Sequence, residues 1–371
     1  MPLVRKFVAE SAKRRDAAAH CGPPTRDIET VMAAVELIDA NVSADPSVSP
    51  TETHAAGQWV RSLDHEKRAA IRELHRIRPV WNLVGLFFAA LWAGGAWLVL
   101  GTTSAVLRIT GYVAIGVAIH GLVVLMHEGI HGSLFRNKSL DRWFGFLLGI
   151  PSLVSFTAYR VTHLAHHRYN RTADDPDEFS NLTRRGPLLS LAFYAWMLVG
   201  TFVYFLFHVP VTAFARGKTA ERVAVAVEYA VLAVIYGFLF VLGWRFGFLS
   251  ALIQCWLLPM VVAVICGNIR GWAEHMMTIP GHPLTQSRTV TSNRVVSFLT
   301  LNLNYHLEHH LFPGMPWYNL TKLHSLLQGE YHAAGSFIYK SYLRFLFDAV
   351  CAGVHGYAPE RPPGSAPSPA T

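Results

Sequence analysis

Charged residues are scarce in this chain. Asp, Glu, Lys and Arg make up 15% of its 371 residues, against 52% hydrophobic residues, whereas soluble domains have about 25% charged residues. The mean hydropathy of +0.29 indicates the same deficit of polar groups. The composition excludes an ordinary soluble domain and predicts a protein whose solvent is lipid.

Cysteine is also scarce, and the charge balance is only mildly basic. The four cysteines, Cys21, Cys255, Cys266 and Cys351, form no C-x-x-C pair, so no disulfide framework is expected. Lys and Arg exceed Asp and Glu by 32 to 24, an excess that membrane proteins usually keep in cytoplasmic loops beside anionic headgroups. We therefore expect no nucleic-acid partner. No apolar stretch follows the first basic residues, so a cleaved signal peptide is not expected.

Long apolar runs occupy the middle of the chain. Five of them approach the ~20 residues that cross a bilayer, and they cover residues 81–100, 105–126, 187–209, 223–243 and 246–266. The run at 144–156 is shorter and contains Pro151. Two helical patterns precede the runs: residues 27–40 predict a small peripheral helix, and 58–78 predict a basic amphipathic helix along a membrane face.

Histidines cluster just outside these runs. The motif HEGIH ends the second run, and HLAHH and HLEHH share one H-x-x-H-H spacing. Helical positions three and four residues apart lie on one face, so each cluster can direct several ring nitrogens toward a metal. The candidate ligands are His127, His131, His163, His166, His167, His275, His306, His309 and His310.

The motif HEGIH also fits the H-E-x-x-H template of zinc proteases. A catalytic zinc uses about three protein ligands, however, and nine histidines exceed that number. They suit two metal ions with about four or five imidazoles each, and imidazole-bound iron with open positions is the usual oxygen activator. A zinc membrane protease and a metal transporter are the alternatives of a different class. The scarcity of polar groups in the apolar runs, apart from His120, argues against a transporter.

The three clusters resemble the three-histidine-box pattern of the integral-membrane fatty acid desaturase and hydroxylase superfamily. The likeness extends through YRVTHLAHHRYNRTADDPDEF and NLNYHLEHHLFPGMPWYNL, covers roughly residues 80–330, and is greatest to bacterial fatty acid desaturases. It implies that the nine histidines ligate a non-haem centre of two iron ions that uses O2. Acyl-CoA desaturases of the superfamily carry an asparagine four residues before the extra histidine, where this chain has Gly271, with Asn268 one turn earlier.

Carboxylates lie close to the candidate ligands in sequence. Glu128, Glu274 and Glu308 each adjoin one of the histidines, and Asp175 follows the second box. Histidine ligands commonly donate their second ring N–H to a carboxylate, which fixes the tautomer. We therefore expect these four side chains to support the ligands, and no catalytic residue beyond the ligands themselves.

The position of the clusters sets the expected topology, because all of them must lie on one side of the membrane. We assign four transmembrane helices, at 81–100, 105–126, 223–243 and 246–266, and interpret 187–209 as a re-entrant or interfacial segment that Pro210 ends. The expected fold is an all-α integral membrane protein of the inner or plasma membrane. A histidine-rich cap and both termini would be cytoplasmic.

Three regions follow from this interpretation. Residues 1–57 would be a partly disordered cytoplasmic segment, 58–350 the membrane desaturase domain, and 351–371 a disordered proline-rich tail. We expect the substrate tunnel to be lined by residues 81–126 and 223–266.

The resemblance implies an O2-dependent oxidoreductase that introduces a C=C bond into a fatty acyl chain. Its partners would be a lipid or fatty acyl substrate in the bilayer and an external electron donor, a ferredoxin or a b-type cytochrome with its reductase. A lipid or alkane hydroxylase, a carotenoid ketolase and an alkene-forming fatty-acid decarboxylase are alternatives of related chemistry. The sequence pattern does not separate desaturation from hydroxylation, since small differences in substrate position select between them.

Overall fold

The structure is a computed structural model that describes residues 51–178, 195–196 and 199–352. The helix predicted at 27–40, most of the first half of the run at 187–209, and residues 353–371 of the predicted tail lie outside the described residues.

The chain divides into two compact units after Glu73. Helices α1 (Thr51–Ser62) and α2 (His65–Leu74) make up the described part of the first unit, with Leu74 as the first residue of the second. Between them Asp64 caps α2, since its carboxylate accepts a hydrogen bond from the Lys67 backbone N–H at 2.7 Å. The single helix predicted over 58–78 is therefore two helices.

The second unit is almost entirely helical. In chain order its described elements are a 3₁₀ turn (Pro79–Leu83), α3 (Val84–Gly101), α4 (Ala105–Ile130), α5 (Lys138–Gly149), a 3₁₀ turn (Ile150–Ser152), α6 (Phe156–Tyr169), a π-helical turn (Tyr204–His208), α7 (Val209–Arg216), α8 (Thr219–Arg245), α9 (Leu249–Leu252), a π-helical turn (Ile253–Leu257), α10 (Met260–His275), β1 (Arg288–Val290), α11 (Arg294–Leu299), α12 (His306–Leu311), a 3₁₀ turn (Trp317–Asn319), α13 (Leu320–Leu326), α14 (Gln328–Ala333), β2 (Phe337–Tyr339) and α15 (Tyr342–Ala352).

Five continuous helical stretches are long and apolar enough to cross a membrane: Pro79–Gly101, Ala105–Ile130, Val199–Arg216, Thr219–Arg245 and Leu249–His275. Helices α5 and α6 form a further apolar pair that bends by 101° between them. Large apolar side chains on the long helices are exposed, which water would disfavour and lipid tails accept.

Helix α4 is the central helix of this unit, and glycines let its neighbours approach closely. A Cβ on Gly95 of α3 would lie 2.8 Å from the carbonyl oxygen of Gly111, and one on Gly116 would lie 2.6 Å from that of Pro259. These approaches leave no room for a side chain. The first half of α4 is therefore held between two other apolar helical stretches.

The segment around Pro210 differs from the sequence-based expectation. The helix does not end at Pro210 but runs from Val199 to Arg216. The π-helical turn Tyr204–His208 lies directly before the proline. A π turn changes the hydrogen-bond register locally, so the missing proline N–H and its ring are tolerated without a break.

The residues after α10 fold over its end with a small parallel sheet. Strand β1 pairs with β2 in the register Arg288↔Phe337, an exception to the predicted all-α fold. Arg288 is buried, and its guanidinium donates to the carbonyl oxygens of Ala273 at 2.8 Å and Met277 at 3.2 Å. The sheet is therefore attached to the end of α10, where His275 lies.

Candidate metal centre

The structure brings the nine candidate histidines together in one cluster. Four elements supply them: the end of α4, the helix α6, the end of α10 and the short helix α12. Asn137 caps α5 and Ser155 caps α6, each side chain accepting a backbone N–H. The cap of Ser155 lies at the 101° bend between α5 and α6 and begins the helix that carries HLAHH.

The first histidine group has five members whose candidate ligand nitrogens all lie within 4.8 Å of one another. Nε2 of His163 is 2.8 Å from Nε2 of His127 and 3.0 Å from the same atom of both His131 and His167. Nε2 of His309 lies 3.1 Å from that of His167. Ring nitrogens from three separate elements therefore point toward one small volume.

The second histidine group adjoins the first. The candidate ligand nitrogens of His166, His275 and His310 lie within 4.8 Å of one another, and Nε2 of His306 is 3.2 Å from that of His275. The rings of His167 and His310 stack with centroids 4.3 Å apart across the boundary between the groups. The arrangement thus has five rings around one point and four around a neighbouring one.

The two H-x-x-H-H triplets divide between the groups in opposite senses. In α6 the outer pair, His163 and His167, belongs to the first group, and His166 belongs to the second. In α12 the outer pair, His306 and His310, lies with the second group, and His309 lies with the first. Each triplet therefore bridges both groups.

The chemistry of the donor atoms fits metal ions. Burial lowers the pKa of His131 to about 3 and holds the pKa of His306, His309 and His310 well below the usual range. These rings are neutral at physiological pH and each keeps a lone pair for a metal. Nε2 of His310 is buried and has no hydrogen-bond partner among the described residues, an arrangement that costs stability unless something binds the nitrogen.

Asp175 supports the second group. Nδ1 of His166 lies 2.9 and 3.0 Å from its two carboxylate oxygens. Burial alone would raise the pKa of Asp175, but His166 and the backbone N–H groups of Arg171 and Asp177 lower it overall. The carboxylate is therefore ionised and accepts the Nδ1 hydrogen. Despite the burial of the ring, the charge of Asp175 raises the pKa of His166 to about 9, so a metal ion would displace the Nε2 proton on binding.

Two other rings are oriented by polar groups that the sequence did not indicate. Nδ1 of His275 donates to the backbone carbonyl of Gln286 at 3.1 Å. In His275, Nε2 then keeps the free lone pair. The amide nitrogen of Asn170 donates to Nδ1 of His310 at 3.2 Å.

Glu274 and Glu128 are less directly placed. Oε1 of Glu274 is 3.4 Å from Nδ1 of His306 but pairs with Arg270 at 2.7 Å. Oε1 of Glu128 lies 3.8 Å from Nδ1 of His127, beyond hydrogen-bond distance.

The other oxygen of Glu128, Oε2, accepts from the hydroxyl of Ser133 at 2.8 Å and the backbone N–H of Trp317 at 3.0 Å. It ties the end of α4 to the loop after HLEHH, rather than acting as the base of a protease.

Glu308 does not contact a ring of the cluster through any described hydrogen bond. Its carboxylate is fully buried and accepts from the hydroxyl of Thr289 at 2.5 Å and from Nδ1 of His324 at 2.6 Å. His324 was missed in the sequence, because it belongs to no box and its spacing from HLEHH carries no signal. Glu308 therefore anchors α12 to β1 and α13 through partners that only the fold identifies.

A cavity of about 240 Å³ opens from the second group into the apolar part of the protein. His163, His166, His275 and His306 lie in its wall, and α4, α10 and the stretch 200–208 supply most of the rest. The substrate tunnel was predicted to be lined by residues 81–126 and 223–266. Among the described residues, α3 and α8 belong to those ranges but do not line the cavity, and the helix Val199–Arg216 lines it in their place.

This cavity also contains the glycine that stands where acyl-CoA desaturases carry an asparagine. Gly271 lies in the wall, and a Cβ there would meet no atom within 4 Å. Asn268 also lines the cavity, but its side-chain oxygen accepts from the backbone N–H of Thr201 at 2.7 Å and from the Thr201 hydroxyl at 2.6 Å. The oxygen of Asn268 is thus engaged in holding the helix Val199–Arg216 against α10.

Comparisons with known proteins agree with this architecture. A sequence model of the family described as "Fatty acid desaturase" matches residues 103–342, which include all nine histidines. The chain is 25% identical to the sn-1 acyl-lipid omega-3 desaturase (ferredoxin) of Synechocystis sp. over 58% of this chain and 67% of the relative. It is 24% identical to the sn-1 oleoyl-lipid 12-desaturase of Picosynechococcus sp. over 78% and 88% of the two chains.

A mammalian relative has a similar level of identity. The sphingolipid delta(4)-desaturase/C4-monooxygenase DES2 of Bos taurus is 28% identical over 76% of this chain and 84% of its own length. The family match covers more than half of the chain, and the apolar helices described above are those of an integral membrane protein. With its histidine cluster compatible with a metal site, this chain belongs to the fatty acid desaturase family.

Proposed function

We propose that this protein is a membrane-bound, O2-dependent desaturase that introduces a C=C bond into an aliphatic acyl chain of a lipid. The observation that carries the proposal is the pair of adjoining histidine groups beside a cavity that enters the apolar interior. All three relatives described above are named as desaturases of lipids.

Two iron ions are the proposed occupants of the histidine groups. The first would be held by His127, His131, His163, His167 and His309, and the second by His166, His275, His306 and His310. Bound iron with open coordination positions supplies the activation of O2 that removal of hydrogen from an unactivated carbon requires. Neutral imidazoles suit this role because they leave the positive charge of the ions uncompensated.

The chain's own residues would position the substrate and exclude water. The apolar wall from α4 and α10 receives the acyl chain and keeps it extended toward the second histidine group. Arg270 and Glu274 neutralise each other in the wall, so the cavity offers no unpaired charge there. Two neighbouring carbons would thus be presented in a fixed order, which is what desaturation needs.

The proposed topology has four crossings. The ends of α4 and α10 meet in one cluster, so an even number of crossings separates them, and Thr219–Arg245 with Leu249–His275 supplies two. The helix Val199–Arg216 would then enter and leave from the histidine side. Its contacts support this: Thr201 bonds to Asn268 inside the apolar layer, and Arg216 donates to the backbone oxygen of Asp174 at 2.7 Å.

We place the histidine cap and both termini on the cytoplasmic side of the inner or plasma membrane. Arg216, Lys218 and Arg222 lie at and beside the junction of the third and fourth apolar helices, on the proposed histidine side, as the positive-inside rule prefers. Residues 58–350 would form the desaturase domain. A cytoplasmic ferredoxin, or a b-type cytochrome with its reductase, would deliver the electrons. The name of the Synechocystis relative includes ferredoxin, which supports the first of these donors.

The test is expression in a host that lacks desaturases, followed by mass spectrometry of its lipids and elemental analysis of the purified protein. We expect about two iron ions per chain and acyl chains lighter by two hydrogens, dependent on O2 and a reductant. A gained oxygen atom would indicate hydroxylation, and a lost carboxyl group decarboxylation. One zinc ion with peptide cleavage would overturn the proposal.

A further inference from the structure

The cavity has a polar spot far from the histidine groups. His120 lies on α4 seven residues before His127, which is two helical turns and about 10 Å deeper along the same helix face. It lines the cavity, its side chain is 7% exposed, and its Nε2 has no hydrogen-bond partner among the described residues.

The surroundings of His120 are otherwise apolar. Its neighbours Ile119 and Val123 on α4 line the cavity with it, and Leu153 is another apolar residue of the wall. Ser152 lines it too, and its hydroxyl oxygen is buried without a hydrogen-bond partner within the described ranges. Two unsatisfied polar side chains in an apolar wall cost stability, and a ligand that pairs with them removes that cost.

Several other polar side chains of the wall have partners from the wall itself. Thr201 bonds to Asn268, and Arg270 bonds to Glu274. His120 and Ser152 have no such partner among the described residues, and a plain hydrocarbon chain would give them nothing to bond. These two unsatisfied groups indicate that the occupant of this part of the cavity carries a polar group.

We propose that the deep end of the cavity binds a hydroxyl group on the substrate's aliphatic chain, with His120 as its principal hydrogen-bond partner and Ser152 as a second. A hydroxyl both donates and accepts, so it pairs with Nε2 of His120 in either tautomer and with the Ser152 hydroxyl, whereas a carbonyl pairs with His120 only where Nε2 carries the hydrogen. The inference rests on the proposed function and specifies its substrate class as a hydroxylated acyl lipid.

The geometry gives His120 a role in specificity. A hydroxyl held two helical turns from His127 fixes which methylene groups lie beside the histidines. The reacting bond would therefore be set by its distance from the hydroxyl along the chain. His120 would act as a specificity-determining residue that takes no part in metal binding.

The first experiment measures binding to the purified, metal-loaded protein in detergent micelles. The probes are octadecanoic acid and a positional series of its monohydroxylated isomers, scored by the shift in melting temperature and by competition. We expect a narrow range of hydroxyl positions to bind about tenfold more tightly than octadecanoic acid, the effect of one buried hydrogen bond. If no isomer exceeds octadecanoic acid, the inference is overturned.

Substitutions then assign the preference to the two side chains. His120→Phe keeps a planar ring without nitrogens and should abolish the preference. His120→Gln, whose amide nitrogen replaces Nε2, should retain part of it. Ser152→Ala should weaken it, and the matched control Ile119→Val should keep it. A preference that survives unchanged in His120→Phe sinks the proposal.

The two hypotheses fail separately, because binding is read without turnover. A hydroxyl preference in a protein that modifies no lipid would leave this site intact and remove the desaturase assignment. Desaturation of plain chains with no hydroxyl preference would do the reverse. Should His120→Phe fail to fold, the positional series on the unaltered protein and Ser152→Ala still decide.

Discussion

The two H-x-x-H-H triplets have the same spacing but are held in different ways. HLAHH lies in α6, a helix of 14 residues, whereas HLEHH forms nearly all of α12, which has six. An isolated helix of six residues is not stable in water. The shorter triplet therefore needs support from outside its own backbone.

The supporting contacts differ accordingly. Helix α6 is anchored at its far end, where Ser155 caps it and Glu228 of α8 accepts from the Ser155 hydroxyl at 2.7 Å and from the Thr157 backbone N–H at 2.9 Å. Helix α12 is anchored at its centre by Glu308, at the position where HLAHH has Ala165. Identical spacing sets the directions of the rings, but contacts outside the motif set their positions.

Removing a candidate ligand from the first histidine group should have the largest effect. His163 contacts three other rings of the first group. We expect His163→Ala to abolish metal binding in the first group and to lower activity by more than about a hundredfold, since loss of a ligand exceeds loss of a supporting contact. Elemental analysis and lipid mass spectrometry measure the two effects.

The matched control is His332→Ala, because His332 is an exposed histidine outside the cluster. It should bind metal and act like the unaltered protein. Full metal content in His163→Ala would contradict the ligand assignment.

Glu308→Ala should break α12 without touching a ligand. The substitution leaves Thr289 and His324 without their buried partner, and breaking a buried pair costs about 3 kcal/mol. Thermal unfolding of the metal-loaded protein measures the loss. Ala165→Ser, at the corresponding position of the other triplet, should cost less than about 1 kcal/mol. Equal losses for the two variants would show that the triplets are supported alike.

Asp175→Asn should affect one group of histidines more than the other. The amide lacks the charge that holds the Nδ1 hydrogen of His166, so the tautomer of that ring is less strongly fixed. We expect about a tenfold loss of metal affinity in the second group and little change in the first. Competition with a chelator measures the metal affinity of each histidine group as the two metal ions are removed in turn. A uniform loss from both groups would refute this division.

Glu228→Gln should have the smallest effect. The amide keeps one acceptor oxygen but loses the negative charge at the start of α6, where the helix dipole favours an anion. We expect a loss of about 1 kcal/mol in stability. Activity should stay within about twofold, since the cap of Ser155 remains. A loss of metal from Glu228→Gln would show that α6 depends on its remote anchor as strongly as α12 does on Glu308.

Much of the fold followed from local patterns in the sequence. The apolar runs at 81–100, 105–126 and 223–243 each lie within a long helix, and the run at 246–266 does so from Leu249 onward. About 20 apolar residues in succession leave few other stable structures in lipid. Pro210 misled the prediction, since a π-helical turn absorbed it. The pair β1 and β2 escaped notice because three-residue strands carry no periodic signal.

The site was predictable as a set of residues but not as an arrangement. The spacing of HEGIH, HLAHH and HLEHH identified eight of the nine histidines that the structure brings together, and the position of His275 after the last apolar run identified the ninth. The supporting side chains were harder to identify. Asp175 lies where expected, whereas Glu308 pairs with His324, which lies outside every motif.

By itself the sequence determined which segments are long and apolar enough to cross a membrane and which rings share a helix face, because both properties depend on residues close together along the chain. Only the tertiary structure decided that the outer pair of HLAHH joins one group and the outer pair of HLEHH the other. The same is true of the cavity, where α4 and α10 meet the helix Val199–Arg216. These features arise from contacts between segments far apart in sequence, and side-chain spacing within one helix carries no information about them.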